Sequence, residues 1–219
     1  MTAIVRDTAV TITDPAGSGP YTVTANLPTL STDDMLILAV VSSVNSILAV
    51  NTPSGWTSLI RNTVAPPNID VFYRVSDGGE GSTVGLQWDG TDPAESVTIA
   101  ASVYDYDTGD PFLGETTAED ETAGPSGSMP ADTLVLSFLG VRGVSTTTIV
   151  VPSGWTEHEN ATASGNNSHQ ALASITGTGT VTGEWDDGGA GPAKPVNATF
   201  GIASEIAGDP LFIAQAIVV

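Results

Sequence analysis

The chain alternates short hydrophobic runs with turns rich in glycine, proline and aspartate, about 10–15 residues apart. No segment keeps the i, i+3, i+4, i+7 spacing of an amphipathic helix over three turns. Residues 70–75 show the two-residue period of a strand. Val71, Tyr73 and Val75 point to one face, which we expect to be buried, and Phe72 and Arg74 point to the other. The pattern predicts an all-β protein.

Turn residues set the limits of the predicted strands. The first half is predicted to contain strands at 4–13, 21–26, 35–42, 56–62, 70–75, 83–88 and 96–105. The second half is predicted to contain strands at 114–119, 133–140, 146–151, 155–160, 170–175, 180–185 and 196–204, with a last strand at 211–218. The first and last strands are predicted either to pair within the chain or to contact a neighbouring protein.

Short motifs recur in the two halves. Pro-Ser-Gly-Trp-Thr contains Trp56 in the first half and Trp155 in the second, at an offset of 155 − 56 = 99. A Trp-Asp pair begins at Trp88 and again at Trp185, at an offset of 185 − 88 = 97. Two motifs in the same order at nearly one spacing indicate an internal repeat.

A further match aligns the first long hydrophobic strand of each half. Residues 34–38 (DMLIL) match residues 132–136 (DTLVL) at an offset of 98. These strands and the two Pro-Ser-Gly-Trp motifs are therefore expected to supply the core. The expected core residues are Leu36, Leu38, Leu134, Leu136, Trp56 and Trp155.

The repeat and the strand pattern together predict two jelly-roll-like antiparallel β-sandwich units in tandem, related by internal duplication. The first unit is expected to span residues 1–112 and the second residues 113–219. Trp88 and Trp185 lie at strand ends before acidic turns. They are interpreted as structural residues, with an exposed stacking platform for a ligand such as a sugar as the alternative.

The charge balance narrows the possible partners. The chain contains 25 acidic and 5 basic residues, for a net charge of −20, and its one lysine is Lys194. Phosphate backbones and anionic membrane surfaces attract clustered lysine and arginine, so nucleic acid and membranes are not expected as partners. The acidic surface is typical of proteins from salt-loving organisms and their viruses, or of an acidic extracellular protein. The chain has no cysteine, which excludes disulfides and thiolate metal sites.

Carboxylates at alternate positions suggest a weak cation site. Asp105, Asp107 and Asp110 could present oxygen ligands to Ca²⁺ or Mg²⁺, but they do not complete a calcium-loop pattern. A solvated acidic loop is the favoured interpretation, and no other cofactor is predicted.

The sequence offers little support for enzyme chemistry. His158 and His169 occur only in the second half, and neither belongs to a recognised catalytic or metal-binding motif. Glu184 has no obvious second carboxylate for glycoside hydrolysis. The chain is predicted not to be an enzyme.

The motif order resembles a group of β-rich structural proteins from tailed phages and archaeal tailed viruses. The residues that carry the resemblance are Asp34, Leu36, Leu38, Pro53, Gly55, Trp56 and Thr57, and then Asp132, Leu134, Leu136, Pro152, Gly154, Trp155 and Thr156. The resemblance implies a virion location, capsid or tail proteins as partners, and a homo-oligomer. The implied role is that of a capsid decoration, turret or tail-associated protein. The alternative is a carbohydrate-binding module for host adsorption.

Overall fold

The computed structural model describes residues 2–13, 21–42, 50–62, 67–88, 95–119, 127–142, 149–163, 168–181 and 194–205. All regular structure in these ranges is β-strand, and every strand pairing is antiparallel. The predicted all-β class is confirmed.

The strands of the first half are β1 (Ile4–Thr13), β2 (Tyr21–Asn26), β3 (Met35–Ser42), β4 (Thr57–Asn62), β5 (Asn68–Val75), β6 (Thr83–Trp88) and β7 (Ser96–Tyr104). Those of the second half are β8 (Phe112–Glu119), β9 (Gly127–Arg142), β10 (Thr156–Thr162), β11 (Ser168–Val181) and β12 (Lys194–Ile202).

The first half forms a five-stranded sheet in the order β1-β7-β3-β5-β4 and a two-stranded sheet, β2-β6. The pairs β1–β7, β2–β6 and β3–β5 are nested, as in a jelly roll. The second half forms one five-stranded sheet which, read from its β8 edge, has the order β8-β12-β9-β11-β10. Strands taken in chain order therefore occupy the same places in both large sheets, which supports the hypothesis of an internal repeat.

The two large sheets pack face to face. β1 lies against β10 and β4 lies against β8, while β7 contacts β11 and β5 contacts β12. Exchanging each strand for its counterpart in the other half leaves this set of contacts unchanged. These four strand contacts are thus symmetric between the two halves, as isologous contacts in a dimer are.

The largest core lies between the two large sheets. One face of β3, with Met35 and Ile37, packs in the same cluster as Leu134, Leu136 and Phe138 of β9. The opposite face of the first large sheet packs in a second cluster with β2, β6, Val50 and Trp56, and the outer face of the second sheet packs in a third with Ile149 and Trp155. Each large sheet is therefore buried on both faces.

The structure corrects the alignment of the two halves by one residue. Met35 pairs with Val103 and Leu134 pairs with Ile202, so the offsets are 134 − 35 = 99 and 202 − 103 = 99. The offset of 98, which equated Leu36 with Leu134 and Leu38 with Leu136, is wrong. All four leucines are buried, but Leu36 and Leu38 belong to the second cluster whereas Leu134 and Leu136 lie between the sheets. A one-residue slip in a strand exchanges its two faces.

Some equivalent positions of the two halves differ in size within the core between the sheets. Phe138 and Phe200 of the second sheet stack with ring centroids 6.1 Å apart. Their counterparts at an offset of 99 are the small residues Ala39 and Ala101, which belong to the same core cluster. A Cβ atom added to Gly140 would lie only 2.6 Å from Cγ2 of Val41, its own counterpart. The two sheets therefore approach closely at Gly140, where no side chain separates the strand from Val41.

Several predicted elements differ in the structure. The separate strands predicted at 170–175 and 180–185 are replaced by the continuous β11, which passes Gly177 and Gly179 with a register shift, and residues 182–185 lie outside the described ranges. Val75 is 48% exposed while Phe72 is fully buried, so the burial expected from alternation is wrong there. Residues 149–151 form only an isolated bridge position, and the strand predicted at 211–218 lies outside the described residues.

Candidate functional site

A cleft of about 470 Å³ opens where the two halves meet at one end of the sandwich. Its walls come from the start of β1, the turn before β3, the segment after β7 and the short segment directly after β12. The lining residues are Arg6, Thr32, Asp33, Asp34, Tyr104, Asp105, Tyr106, Asp107, Thr108 and Glu205. Five of these carry a carboxylate and one is basic, and we call this the seam cleft.

Main-chain hydrogen bonds between the halves form the frame of the seam cleft. Tyr106 and Ser204 form an antiparallel bridge. The Asp107 amide donates to the Ala203 carbonyl at 2.8 Å, and the Glu205 amide donates to the Asp105 carbonyl at 2.9 Å. The cleft is therefore built by backbone from both halves and depends on their association.

One cation already lies in the seam cleft. Arg6 makes a two-point contact with Asp34, with Nε 3.0 Å from Oδ2 and Nη2 donating to Oδ1 at 3.2 Å. The Arg6 guanidinium carbon also lies 4.4 Å from the centroid of the Tyr104 ring. A carboxylate below and an aromatic face beside a guanidinium are two favourable contacts for a cation. This corner of the cleft shows how its residue types hold a positive group.

Tyr106 forms the floor of the seam cleft. Its ring packs in the core between the sheets and only 4% of the residue is exposed. Its hydroxyl has no hydrogen-bond partner among the described residues. Burial, and then the negative charges of Asp33 and Asp34, raise the pKa of Tyr106, so the hydroxyl keeps its proton at neutral pH.

Two carboxylates of the cleft are presented by unusual backbone. Asp33 and Asp105 have φ angles of 68° and 59°, a region that aspartate and asparagine tolerate better than most residues. Asp107 accepts a hydrogen bond from the Gly109 amide at 2.8 Å, which fixes the turn. Within the described ranges, none of these three carboxylates forms an ion pair.

The structure places two of the three predicted cation ligands in this cleft. Asp105 and Asp107 line it, whereas Asp110 is exposed and outside the lining. No group of three or more histidine, cysteine, aspartate or glutamate residues is placed to hold a metal ion in the part of the chain that the structure describes. The chemistry of the cleft is that of an acidic pocket with aromatic walls.

Sequence reasoning missed Arg6, Asp33, Tyr106 and Glu205 as members of the site. Their proximity depends on how the two sheets stack, which no local pattern reports. One usable signal existed for Asp33, since its counterpart Asp132 also has a positive φ of 61°. Asp33 lies in the turn before β3 and Asp132 lies within β9, and both aspartates adopt the left-handed backbone conformation.

The three tryptophans that the structure describes lie in the interior. Trp56 is 8% exposed and Trp155 is 9% exposed, and in each case the indole follows a turn closed by its own amide donating to the proline carbonyl at 3.1 Å. Trp88 is 2% exposed and its Nε1 donates to Ser42 Oγ at 3.1 Å. The alternative of an exposed platform is therefore wrong for Trp88. Trp185 lies outside the described residues.

A second, smaller cleft of about 300 Å³ lies beside Trp56. Its polar wall is the pair of Arg74 and Glu80, with Nη2 2.7 Å from Oε1. Burial acts to raise the pKa of Glu80, but hydrogen bonds from the Ser76 hydroxyl and the Asp77 amide, together with Arg74, lower it to about 2. The hydrogen bonds of the Glu80 carboxylate stabilise the 76–80 turn, so the second cleft is a weaker candidate for binding a ligand.

Neither histidine forms a recognisable catalytic group with its described neighbours. His158 Nε2 lies 2.7 Å from Ser174 Oγ. Glu159, one of the two acids adjacent to His158 in sequence, accepts instead from the Thr8 hydroxyl at 2.6 Å. Burial lowers the pKa of His158, against the opposing charge of Glu159. His169 is buried with its Nδ1 2.8 Å from the Thr162 hydroxyl. Neither histidine lines the seam cleft.

No family model, characterised protein or solved structure matches this chain. Within the described part of the chain, no helix is long and apolar enough to cross a membrane.

Proposed function

We propose that this chain is a non-enzymatic structural protein of a virion, which docks on capsid or tail proteins and presents an acidic outer surface. The observation that carries the proposal is the seam cleft, an acidic binding feature framed by backbone from both halves of a continuously packed all-β body. The motif resemblance to β-rich proteins of tailed viruses supplies the viral context.

The packing supports a structural role. Both large sheets are covered on both faces, and their shared core contains Phe138, Phe200 and Met35 at full burial. Such a body tolerates exposure on a particle surface, because only Ile4, Ile12, Val75 and Val150 are exposed large hydrophobic residues within the described ranges. Capsid decoration, turret and tail-associated roles all fit this description, and a homo-oligomer is proposed with them.

Localisation tests the proposal directly. Antibodies raised against the full chain should label intact, purified particles when viewed by electron microscopy, and the chain should co-purify with those particles through a density gradient. Detection only in cell lysate, with unlabelled particles, would contradict the proposal.

The acidic composition leads us to propose a high-salt environment. With a net charge of −20, like charges repel one another across the surface, and molar salt shortens the screening length to about 3 Å. The midpoint of thermal unfolding should therefore rise as KCl increases from 0.1 M to about 3 M. A midpoint indifferent to KCl would remove this part of the proposal.

The glycan-binding alternative requires Trp88 or Trp185 to be exposed as a stacking platform. Trp88 is instead buried and hydrogen-bonded to Ser42. We therefore keep the docking role as the single proposed function.

A further inference from the structure

The floor of the seam cleft ends in a buried polar group that lacks a partner. The Tyr106 hydroxyl is buried and makes no hydrogen bond within the described ranges. A buried hydroxyl left unpaired costs free energy, and a ligand that bonds to it recovers part of that cost. The cleft thus combines a hydroxyl without a described hydrogen-bond partner at its floor with negatively charged carboxylates at its rim.

The negative charge at the rim of the cleft favours a positively charged ligand. Arg6 is bonded to Asp34, which leaves Asp33, Asp105 and Asp107 without an ion pair among the described residues. Carboxylates gathered at one concave surface attract a cation and disfavour an anion. No described group of three acidic residues has metal-binding geometry. An organic cation fits this arrangement better than a metal ion.

The chain itself has little positive charge to offer the cleft. Arg61 and Arg74 are paired with Asp70 and Glu80. Arg142 and Lys194 are register partners at the opposite end of the second sheet, roughly 25 Å along the strands from the cleft. Residues 206–219 contain no lysine or arginine. The basic side chains other than Arg6 are thus paired or placed elsewhere, and a partner molecule is the source of a cation that fits the cleft.

We infer that the seam cleft is the docking site for a lysine or arginine side chain of a partner protein, held by the Asp33 and Asp105 carboxylates with an N–H donating to the Tyr106 hydroxyl. This inference rests on the proposed function and names the chemistry of the docking partner. The Arg6 guanidinium, between Asp34 and the Tyr104 ring, is an example within the chain of the same recognition. A volume of about 470 Å³ accommodates one long side chain.

The test uses the full chain and three small probes. Nα-acetyl-arginine amide and Nα-acetyl-lysine amide are titrated at low salt, with neutral Nα-acetyl-glutamine amide as the control, and binding is followed by NMR. The two cations should shift the amide signals of residues 105–108 in a saturable manner, and the neutral amide should not. Equal shifts with the neutral amide would overturn the inference.

Matched variants separate the cleft from the general acidity of the protein. D33N/D105N removes two cleft charges and keeps side chains that tolerate positive φ, while D110N/E157Q removes two exposed charges elsewhere. Binding of the arginine probe should weaken about fivefold or more in D33N/D105N and stay near wild type in D110N/E157Q. Y106F should also bind more weakly while retaining the wild-type fold.

Four outcomes would contradict the inference. Equal weakening in both double variants would mean that the probe senses net charge alone, and unchanged binding in Y106F would remove the role of the hydroxyl. Saturation of the 105–108 signals by Ca²⁺ alone at a lower concentration than either cationic probe would make the cleft a metal site. Particles that retain D33N/D105N as well as wild type would overturn the docking inference and leave the virion role standing, whereas wild type absent from particles would overturn that role itself.

Discussion

At the scale of single residues, the two halves differ at a position where they touch each other. Val41 and Gly140 occupy equivalent positions and face each other across the core, and only one of them carries a side chain. A second methyl-bearing residue at Gly140 would collide with Val41, so the space between the sheets accepts one valine and not two. The contact therefore fixes how closely the two sheets approach.

Gly140→Ala is expected to destabilise the protein by about 2 kcal/mol, because its Cβ would lie 2.6 Å and 2.8 Å from the two Val41 methyl carbons. Adding Val41→Ala should relieve the clash, so that the double variant is about 1 kcal/mol more stable than the sum of the single effects. Urea unfolding measures all three free energies. Gly85→Ala, where a new Cβ meets no atom within 4 Å, should change stability by less than about 0.5 kcal/mol. If the changes in unfolding free energy of the two single variants simply add in the double variant, the contact between positions 41 and 140 is contradicted.

Glu80 makes a second prediction at this scale. Its pKa falls from 4.5 to about 2 on folding, so the folded state favours the ionised form. The associated stability is present above pH 4.5 and is lost as the pH falls towards 2. Glu80→Gln should lower the free energy of unfolding at pH 7 by about 2 kcal/mol and should reduce its pH dependence between 4.5 and 2.

Urea unfolding of this variant at several pH values gives the measurement. Glu157→Gln, a charge-matched change on the exposed edge strand β10, serves as the control. If the free energy of unfolding of Glu80→Gln falls between pH 4.5 and 2 as steeply as that of wild type, other carboxylates cause the pH dependence.

At the scale of elements, the two edge strands β4 and β10 attach a neighbouring segment by different chemistry. The buried carboxylate of Asp70 accepts from Arg61 Nε at 2.8 Å and from the Val50 amide at 2.9 Å, and Arg61 Nη2 donates to the Val50 carbonyl. Burial raises the pKa of Asp70, against the hydrogen bonds from Val50 and Arg61. In the second half, Asn160 Nδ2 donates to the Ile149 carbonyl at 3.0 Å. The segment beside the edge strand is thus held by a charged pair in the first half and by a neutral amide in the second half.

Asp70→Ala is expected to cost about 3 kcal/mol, because it leaves the Val50 amide and the Arg61 guanidinium without their acceptor. The double variant Arg61→Asn/Asp70→Ala copies the second half, where Asn160 pairs in register with Ala171. It should recover about 1 kcal/mol or more relative to Asp70→Ala alone. Thermal unfolding compares the variants, and a double variant less stable than Asp70→Ala would contradict the equivalence of the two attachments.

The strands of the first half were largely predictable and those of the second were less so. Residues 4–13, 21–26, 35–42 and 83–88 were predicted at their observed limits because turn residues bound them closely. β9 begins earlier than predicted and β11 runs through two glycines, since pairing between long neighbouring strands overrides local turn signals. The seam cleft could not be predicted, because its members meet only through the packing of the sheets.

At the scale of the whole molecule, the two halves share their largest core. Met35, Ile37 and Val71 of the first half lie in one cluster with Leu136, Phe138 and other residues of the second. An aromatic chain crosses the same boundary, with the Tyr73 and Phe112 ring centroids 4.6 Å apart. Separating the halves would expose one complete apolar face on each.

We therefore expect the full chain to unfold in one cooperative transition, seen alike by tryptophan fluorescence and far-UV circular dichroism. Residues 1–110 expressed alone should be unfolded or self-associated, because the face that carries Ile37 and Val71 would meet water. Mixing this fragment with residues 111–219 should restore the wild-type spectrum. A monomeric first fragment with its own sharp unfolding transition would show that the shared core is dispensable.

A homodimer must place two identical side chains wherever its symmetry axis runs through the protein. Here Val41 lies against Gly140, its equivalent in the other half, and Tyr106 bridges to Ser204, which precedes Glu205, the equivalent of Tyr106. Because both halves belong to one polypeptide, equivalent positions that meet at their boundary can carry different residues. The seam cleft is consequently lopsided, and a ligand bound there would have a single orientation where a symmetric pair would allow two.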